Sequence, residues 1–503
     1  ISQQQVNKTS GLKFQNVLNY LEKSVPLFVG DVNDEEYREF IQTLNRLRSS
    51  LESVPEFHQR IDKIDDGTPV DSQKFLRDRF LQSRSSILAD GSISCLIYPD
   101  LGLWNKILTE KFLLDFMVAN ILGVLDYLNN GENLHYSRAP ALGQDYIEES
   151  RSSNQKQTKA NYITIAYGWN HYLIDMEQFA NPYQGLWQIL KFLFEQSSTS
   201  SMLKYPFPMG ILSTLPRNDC MYGYKFLNDL DLQKLLQSKL LISIEPFEMT
   251  MEKTDDDVER DHRISLMAKH ILLSNEENIG NRWYDKSLQL VFVLSKNLDQ
   301  IYSHGICFEQ SHAKIESILQ LMDHSIKFLT KFKPKLDEGE YKSRDIQFKK
   351  LQIFNTKSKR LTEIMNQATN HFAMEKYLNI CSNRHFQLSM LQFVDYGLDV
   401  LEKECHLSAD DWIQISFNLA MYKLFGNVRP CYQRYLPNGD GAETWFQCLN
   451  QEMVDFFHEP NDRKKLLLAL ESLKFHREIL MPENLSQKEP NNLESFLLGK
   501  SFY

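Results

Sequence analysis

Long apolar runs are absent from this sequence of 503 residues. No run reaches the roughly 18 residues that a membrane-spanning helix needs, so the sequence predicts no transmembrane segment. The opening range Ile1–Ser10 is polar and has no apolar signal core, which gives no support for secretion. A targeting segment removed from the native chain is left open by this observation.

Paired cysteines and basic clusters are also scarce. The 7 cysteines include no CxxC pair and no even local framework, which predicts no metal site. Reduced, mostly buried thiols in an intracellular protein are therefore expected. The net charge is -10 and the basic residues are dispersed, so nothing indicates a surface that neutralises nucleic-acid phosphates.

The short motifs of several large enzyme classes are missing as well. The sequence has no Walker loop, no GxGxxG segment, no GxSxG elbow and no HExxH pair. It also shows no internal repeat and no low-complexity tract. What it does contain is a mixture of helical and strand patterns, which predicts an α/β (α+β) fold.

The stretch Asn281–Gln320 has the clearest local pattern. Its run Ser287–Ser295 is almost continuously apolar, as expected for a strand covered on both faces. A turn follows, Gln300–Cys307 returns as the partner strand, and a helix comes next. His304 lies in the returning strand, and Glu309 follows it shortly. Because catalytic groups often lie where a strand end meets a helix, His304 is the first catalytic candidate.

The rest of the chain alternates between helical and strand patterns. Helical spacing of apolar residues predicts helices at Leu12–Leu21, Asp34–Leu51, Asn105–Asn120, Pro182–Phe194, Asp219–Leu240, Val258–Leu272, Ala313–Phe332, Lys357–Glu375, Ser408–Phe425, Glu443–Phe457 and Asp462–Leu480. Strands are predicted at Asn161–Ala166, His171–Asp175, Pro208–Leu212, Leu241–Glu245 and Val428–Tyr435, with an extended run at Phe386–Val394. The polar segment Lys331–Tyr341 is the predicted linker.

Five separated segments together resemble one protein family. They are Asn281–Gln289 (NRWYDKSLQ), Pro208–Thr214 (PMGILST), Tyr162–Asp175, Leu407–Gln414 (LSADDWIQ) and Cys431–Gln433 (CYQ). In their order and approximate spacing, they resemble the carnitine/choline acyltransferases. One such segment would be weak evidence, whereas the ordered set is specific.

The resemblance implies two lobes, each a sheet flanked by helices, with a tunnel between them. Residues 1–89 would be a helical segment packing with the carboxyl lobe, and residues 90–338 an amino lobe with the catalytic histidine motif. Residues 339–503 would be the carboxyl lobe, either truncated or continuing past Tyr503. Its last part holds no Ser-Thr-Ser motif, which in the family helps to stabilise the oxyanion.

In this family the acyl group passes between coenzyme A and the hydroxyl of carnitine or choline, with a histidine of a Y-E-H-(A/S) segment as general base. Two positions compete for that histidine. Tyr302–Gly305, which contains His304, lies at the family's usual distance from NRW. Glu309–Ser311 resembles E-H-S with the histidine replaced, but it falls later and needs an insertion. We predict His304 as the base, since imidazole titrates near working pH, and a structural role in the core or at the surface is the alternative.

The carboxylate that should support the base is less regular. The family places it four residues after the histidine, where this chain has Phe308. Glu309 comes next, and a local bulge could bring it into place. Glu309 is therefore predicted as a weak partner of His304, and the alternative is an acid at a helix start.

The coenzyme A side departs from the family pattern. Leu398 and Glu402 replace two lysines that meet the phosphates of the cofactor, and Lys403 lies one step away. Ser408 and Asp410 match the family's LSPD segment, so the resemblance implies that they bind coenzyme A. They also suit the N-cap and first turn of a helix, the interpretation that we favour.

The acceptor side is also incomplete. Tyr432 falls on a position that contacts the substrate carboxylate in the family, and Thr444 takes the place of a nearby threonine after a one-residue shift. Gln433 replaces a glutamate, and the arginine of the family's GRT segment is missing.

The sequence thus predicts a divergent carnitine O-acyltransferase that takes acyl-coenzyme A and carnitine or a related hydroxyl acceptor, without a metal. The alternatives are a non-catalytic scaffold or interaction subunit with a protein partner, and an acyl-coenzyme A sensor. The expected location is intracellular: the cytoplasm or, as the family resemblance implies, a mitochondrion or peroxisome.

Overall fold

The computed structural model describes a defined part of the chain. The described residues are 35–53, 84, 86–97, 108–130, 161–198, 208–224, 227, 229–248, 257–309, 315–332, 347–353, 371–379, 381, 388–390, 393, 395–405, 407–426, 432–435, 444–447 and 450–480. The chain forms two compact units, one of residues Arg77–Gln392 and one that combines Ile1–Leu76 with Phe393–Tyr503. The predicted boundaries after residues 89 and 338, and the tunnel between the lobes, stay predictions.

A seven-stranded mixed sheet forms the centre of unit Arg77–Gln392. Its strands are β1 (Ser92–Ile97), β2 (Tyr162–Tyr167), β3 (Asn170–Asp175), β4 (Leu241–Phe247), β5 (Leu288–Ser295), β6 (Ile301–Glu309) and β7 (Lys349–Lys350). Their order is β1-β6-β5-β4-β2-β3-β7. The pairs β2–β4 and β4–β5 are parallel, and the other pairs are antiparallel.

Helices flank this sheet and complete the unit. Apart from α1 (Glu35–Ser53), which belongs to the other unit, the helices in chain order are α2 (Ile87–Asp90), α3 (Glu110–Asn130), α4 (Pro182–Ser198), α5 (Arg217–Tyr224), α6 (Asp229–Gln237), α7 (Asp257–Leu273) and α8 (Ile315–Lys331), with a further helical run at 371–379. Apolar residues of α3, α4 and α8 pack with one face of the sheet, which we call the α3 face. Residues of α5, α6 and α7 pack with the opposite face, called the α5 face. The prediction of an α/β fold is confirmed.

Burial on both faces explains the apolar run of β5. Every residue of Leu288–Ser295 is buried. Leu290 and Phe292 contribute to the core of the α3 face, and Val291 and Val293 to that of the α5 face. Side chains of a strand alternate between faces, so a strand between two helical layers needs apolar residues at successive positions.

Helix α3 is long and apolar enough to cross a membrane, by length and composition only. No other helix in the described part of the chain meets these two criteria. The helix packs on the sheet through buried residues that include Leu113, Phe116 and Met117. A helix in the core of a globular unit has the same composition, and this burial supports a core helix.

The hairpin of β2 and β3 agrees with its sequence signal. Gly168 and Trp169, the two residues between the strands, have φ values of 55° and 65°. Two successive positive φ values define a type I′ turn, whose twist matches that of the flanking strands. The predicted strands around Gly168 are confirmed.

Two predicted elements are wrong. The predicted strand at Pro208–Leu212 is a 3-10 helix, Met209–Thr214, because Gly210 packs against the backbone of Arg282. Residues 444–447, predicted as helical, form strand β9 (Thr444–Gln447), and the helix behind it starts later. Asn450 caps that helix by accepting a hydrogen bond from the Met453 N–H at 3.0 Å, which fixes the start that the apolar pattern alone placed too early. Strand β1 was not predicted.

The second unit contains the remaining elements. Besides α1 they are α9 (Leu398–Lys403), α10 (Ala409–Phe425), β8 (Tyr432–Tyr435), β9, α11 (Gln451–His458) and α12 (Asp462–Leu480). Strands β8 and β9 form an antiparallel ribbon. Met453, Phe456 and Ala469 form a small core of buried residues between α11 and α12.

Candidate functional site

His304 lies in the middle of β6 and points into the apolar core of the α3 face. Its neighbours across the sheet are Ile97 of β1 and Phe292 of β5. The imidazole stacks on Phe292 with ring centroids 6.1 Å apart, and meets Phe116 of α3 edge-on at 5.1 Å. Only 2% of the residue is exposed. Two phenyl rings therefore pack against this buried side chain.

The imidazole is neutral at neutral pH and makes no hydrogen bond within the described part of the chain. Neither Nδ1 nor Nε2 has a partner there. Burial lowers the pKa of His304 from 6.5 to about 4, since the cation would lose its hydration. A neutral imidazole has the lone pair that a general base uses, but here the ring is buried and packs against two phenyl rings.

Glu309 lies on the opposite side of the sheet from His304. The two residues are five positions apart on β6, and successive side chains of a strand alternate between faces. At about 3.3 Å per residue, roughly 16 Å of strand separates them. Glu309 ends the strand on the α5 face, where its charge acts on Asp285. The structure does not bring the predicted base and its predicted partner together.

The hairpin register shows which part of β6 lies beside the NRWYDK segment. Strand β5 runs away from this segment and β6 runs back, so that His304 pairs with Phe292 near the middle of the hairpin. The Glu309 N–H donates to the carbonyl of Ser287 at 3.3 Å, which places Glu309 next to the segment. Glu309–Ser311, the second candidate for the position of the catalytic histidine, therefore begins at the end of β6 beside NRWYDK. Gln310 and Ser311 lie outside the described residues.

Arg282 of the NRWYDK segment forms a buried ionic cluster. Its Nε donates to Glu245 Oε1, and its two terminal nitrogens donate to the carbonyls of Ile271 and His270 at 2.9 and 3.1 Å. His270 Nε2 and Ser274 Oγ each lie 2.8 Å from Glu245 Oε2. Burial raises the pKa of Glu245, but Arg282 and His270 outweigh this effect and lower it to about 2. This cluster joins the segment to β4 and α7.

The other polar side chains of the segment are also bonded inside the protein. The Trp283 indole N–H donates to Tyr224 Oη at 2.9 Å, and the Tyr224 hydroxyl donates to Asp285 Oδ2 at 2.5 Å. Lys286 Nζ donates to the carbonyl of Leu236 at 2.9 Å and to that of Ser238. Polar side chains of the NRWYDK segment, the strongest family signal in the sequence, thus form internal hydrogen bonds that anchor this loop. Sequence matching alone could not separate this structural role from a catalytic one.

The residues predicted to meet coenzyme A have local structural roles. Lys403 Nζ pairs with Asp399 Oδ1 at 3.2 Å on the surface of α9. Ser408 Oγ accepts the Asp411 N–H at 3.1 Å and caps α10, while Asp410 lies in the first turn of that helix. The side chain of Leu398 is exposed, as is that of Glu402. The capping interpretation of Ser408 agrees with this geometry.

The residues predicted to meet the acceptor lie on the ribbon of the second unit. Tyr432 of β8 pairs with Gln447, and Thr444 of β9 pairs with Tyr435. These two pairs are at opposite ends of the ribbon, so the backbone does not place Tyr432 beside Thr444. In the described part of the chain, no group of three or more His, Cys, Asp or Glu residues could hold a metal ion.

Comparison with known proteins gives one consistent result. Residues 91–435 match the family of choline/carnitine O-acyltransferases. The chain is 27% identical to carnitine O-acetyltransferase of Rattus norvegicus over 300 aligned residues. This aligned region covers 59% of this chain and 44% of the relative. The chain is 26% identical to the Homo sapiens carnitine O-acetyltransferase over 301 residues, with coverage of 59% and 44%. Choline O-acetyltransferase of Drosophila melanogaster is 26% identical over 160 residues, with coverage of 32% and 20%.

These matches show the family of the chain but cover only part of each relative. The matched region spans less than half the length of these relatives. The names of these relatives state acetyl transfer to carnitine or choline. The likeness leaves the acceptor and the base to be argued from the residues of this chain.

Proposed function

Because the chain belongs to the choline/carnitine O-acyltransferase family, we propose that it is a non-catalytic member that keeps the fold as an interaction subunit for a protein partner. The observation that carries this proposal is the position of His304. The residue is buried, its ring packs against Phe116 and Phe292, and neither ring nitrogen has a hydrogen-bond partner within the described part of the chain. The predicted supporting acid, Glu309, lies on the other face of the same strand.

Acid–base chemistry explains why this position matters. A general base must come within hydrogen-bond reach of the proton that it removes, about 2.6–3.2 Å between heavy atoms. A substrate hydroxyl could reach His304 only if the packing around Phe116 or Phe292 opened. Dense packing of a protein core opposes such an opening. An orienting carboxylate would also have to come from a residue other than Glu309.

The predicted coenzyme A residues support the same proposal. The ammonium of Lys403 already has Asp399 as a partner, and the hydroxyl of Ser408 caps α10. Carboxylates at Asp399 and Glu402 would repel the phosphates of coenzyme A. Such a surface favours other partners over a polyphosphate ligand.

The second candidate is acyl transfer between coenzyme A and carnitine, with His304 as base. Family membership and the neutral state of His304 favour it. In that case Lys403, Ser408 and Asp410 would meet coenzyme A, while Tyr432 and Thr444 would meet the acceptor. The tunnel of the family would have to reach His304 from the α3 face.

An activity assay on the full-length protein separates the two candidates. Acetyl- and palmitoyl-coenzyme A are offered with carnitine or choline, and the release of free thiol is followed, with a carnitine O-acetyltransferase as positive control. We expect release no faster than without protein. Turnover that disappears in His304→Gln, with unchanged circular dichroism, would establish the second candidate instead. Turnover that persists in His304→Gln would reject both proposals and indicate another base.

Binding measurements test the part played by acyl-coenzyme A. Isothermal titration calorimetry with palmitoyl-coenzyme A is expected to give no saturable heat. Saturable binding without turnover would support the sensor interpretation over the interaction subunit. Lys403→Ala serves here as the matched variant, because a phosphate contact would weaken on losing the ammonium while a surface pair would not matter.

A further inference from the structure

Two residues with buried carboxyl groups lie at the joint between the NRWYDK segment and the end of β6. Asp285 and Glu309 are each 0% exposed, one in the NRWYDK segment and one as the last residue of the strand. The Glu309 N–H bonds to the carbonyl of Ser287, two residues after Asp285. The negative charge of Glu309 acts on Asp285. The joint between the segment and β6 therefore brings like charges together away from water.

The hydrogen bonds around Asp285 leave one oxygen without a donor. Tyr224 donates its single proton to Oδ2, and its oxygen in turn accepts from Trp283. Oδ1 has no hydrogen-bond partner within the described part of the chain. Lys286, whose positive charge acts on Asp285, donates to the carbonyls of Leu236 and Ser238. A buried carboxylate in this position is costly, and a proton on the carboxyl removes that cost.

We propose that Asp285 carries a proton in the folded protein, and that the release of this proton makes the joint between the NRWYDK segment and β6 sensitive to pH. The proton would lie on Oδ1, the oxygen that has no hydrogen-bond partner within the described part of the chain. When the proton leaves, two negative charges face each other inside the α5 face. The contact of β6 with the segment then becomes weaker.

The titratable and charged groups that face Asp285 come from three elements. Helix α5 contributes Cys220 and Tyr224, the end of β6 contributes Glu309, and the segment itself contributes Lys286. Burial raises the pKa of Asp285 to about 7 and the charge of Glu309 adds to this, while the Tyr224 hydrogen bond and Lys286 act against it. Burial also raises the pKa values of Cys220 and Tyr224 well above their ordinary range, so neither ionises near neutral pH.

The sign of the effect follows from the raised pKa. Below the ordinary pKa of 3.8, Asp285 is protonated in both the folded and the unfolded chain. Between 3.8 and about 7, the folded chain keeps a proton that the unfolded chain has lost. The stability supplied by this proton is therefore complete below 3.8, decreases as the pH rises, and is lost above about 7.

Urea unfolding from about pH 5 to about pH 8 tests the joint in the full chain. Asp285→Asn keeps the shape of the protonated group and cannot ionise. We expect the wild type to lose stability relative to Asp285→Asn as the pH rises through this range. The surface variant Asp323→Asn, whose carboxylate pairs with exposed Lys327, should run parallel to the wild type. Parallel curves for Asp285→Asn would overturn the proposal.

Infrared spectroscopy of the wild type gives a readout that does not depend on whether Asp285→Asn folds. The C=O stretch of a protonated carboxylic acid in the wild type should disappear between about pH 6 and about pH 8. In Glu309→Gln the loss of the like charge should move this titration to lower pH. A wild type without a protonated carboxyl band near neutral pH would overturn the proposal.

Discussion

His304 and Glu309 belong to one strand but face opposite layers of the protein. His304 packs between Phe116 and Phe292 on the α3 face. Glu309 ends β6 on the α5 face, next to Asp285. Because five positions of a strand reverse the side-chain direction, no small rotation of either side chain can join the two. A bulge inside β6 could do so, but the register of β6 with β1 is regular from Ser92 to Ile97.

Replacing His304 by an apolar ring should not destabilise the protein. His304→Phe removes two buried nitrogens without partners and keeps a planar ring beside Phe116 and Phe292. We expect the free energy of unfolding at neutral pH to stay within about 1 kcal/mol of the wild type or to rise. Urea unfolding measures it. A loss of several kcal/mol would mean that the imidazole makes a bond essential for folding, and His324→Phe on the surface is the control.

Acid should destabilise the protein through two buried histidines. Burial lowers the pKa of His171 to about 3 and that of His304 to about 4, so both stay neutral in the folded chain. The unfolded chain takes up protons below about 6.5, and stability is therefore present above that value and lost as the pH falls. Each histidine should contribute up to about 1.4 kcal/mol per pH unit in this range.

Comparison of variants isolates this effect from the opposite effect of Asp285. His171→Phe and His304→Phe are each compared with the wild type by urea unfolding at about pH 7 and about pH 5. Each variant should lose less stability than the wild type on acidification. Equal losses would show that the histidines are already protonated, or reach water, in the folded chain.

Removal of the Arg282 guanidinium should be among the most harmful changes in the core. Arg282→Met leaves the Glu245 carboxylate buried without its main cation, which we expect to cost about 3–5 kcal/mol. The double variant Arg282→Met with Glu245→Gln should recover part of this loss, because the stranded charge is gone. Thermal unfolding of four proteins, the wild type, Arg282→Met, Glu245→Gln and the double variant, gives the coupling, and strictly additive losses would contradict the ionic cluster.

Ser408 offers a test of capping against coenzyme A binding. Ser408→Ala should cost about 1 kcal/mol because the Asp411 N–H loses its acceptor, and Ser408→Asn should restore most of it. If Ser408 bound coenzyme A instead, the alanine variant would weaken palmitoyl-coenzyme A binding without lowering the melting temperature. Differential scanning calorimetry and titration calorimetry on the same samples distinguish the two.

Gly210 should tolerate no side chain. A Cβ at this position would run into the carbonyl of Arg282, and a backbone atom cannot move aside as a flexible side chain can. We expect Gly210→Ala to cost about 3 kcal/mol or more, measured by urea unfolding. Gly397→Ala is the matched control, since nothing lies within 4 Å of its would-be Cβ, and it should be close to neutral. Similar results for the two variants would rule out the close approach at Gly210.

Local signals in the sequence were enough for much of the fold. The continuous apolar run of β5, the Gly168 turn and the Ser408 cap each depend on residues within a few positions of one another. The sequence patterns did not predict β1, and they wrongly predicted a strand where Met209–Thr214 forms a 3-10 helix. These two errors have a common cause, because each conformation is fixed by a distant partner: β6 for the first and Arg282 for the second.

The sequence by itself determined the α/β class and the likeness to the acyltransferase family, because the NRWYDK segment and its neighbours keep their order along the chain. Only the tertiary structure decided what these residues do. The face on which His304 lies depends on the register of β6 with β5 and β1, and its surroundings depend on the packing of α3. Spacing along the chain cannot specify a side-chain direction. A pair of residues inserted into a hairpin lengthens the sequence between two motifs and leaves the pairing of the sheet intact.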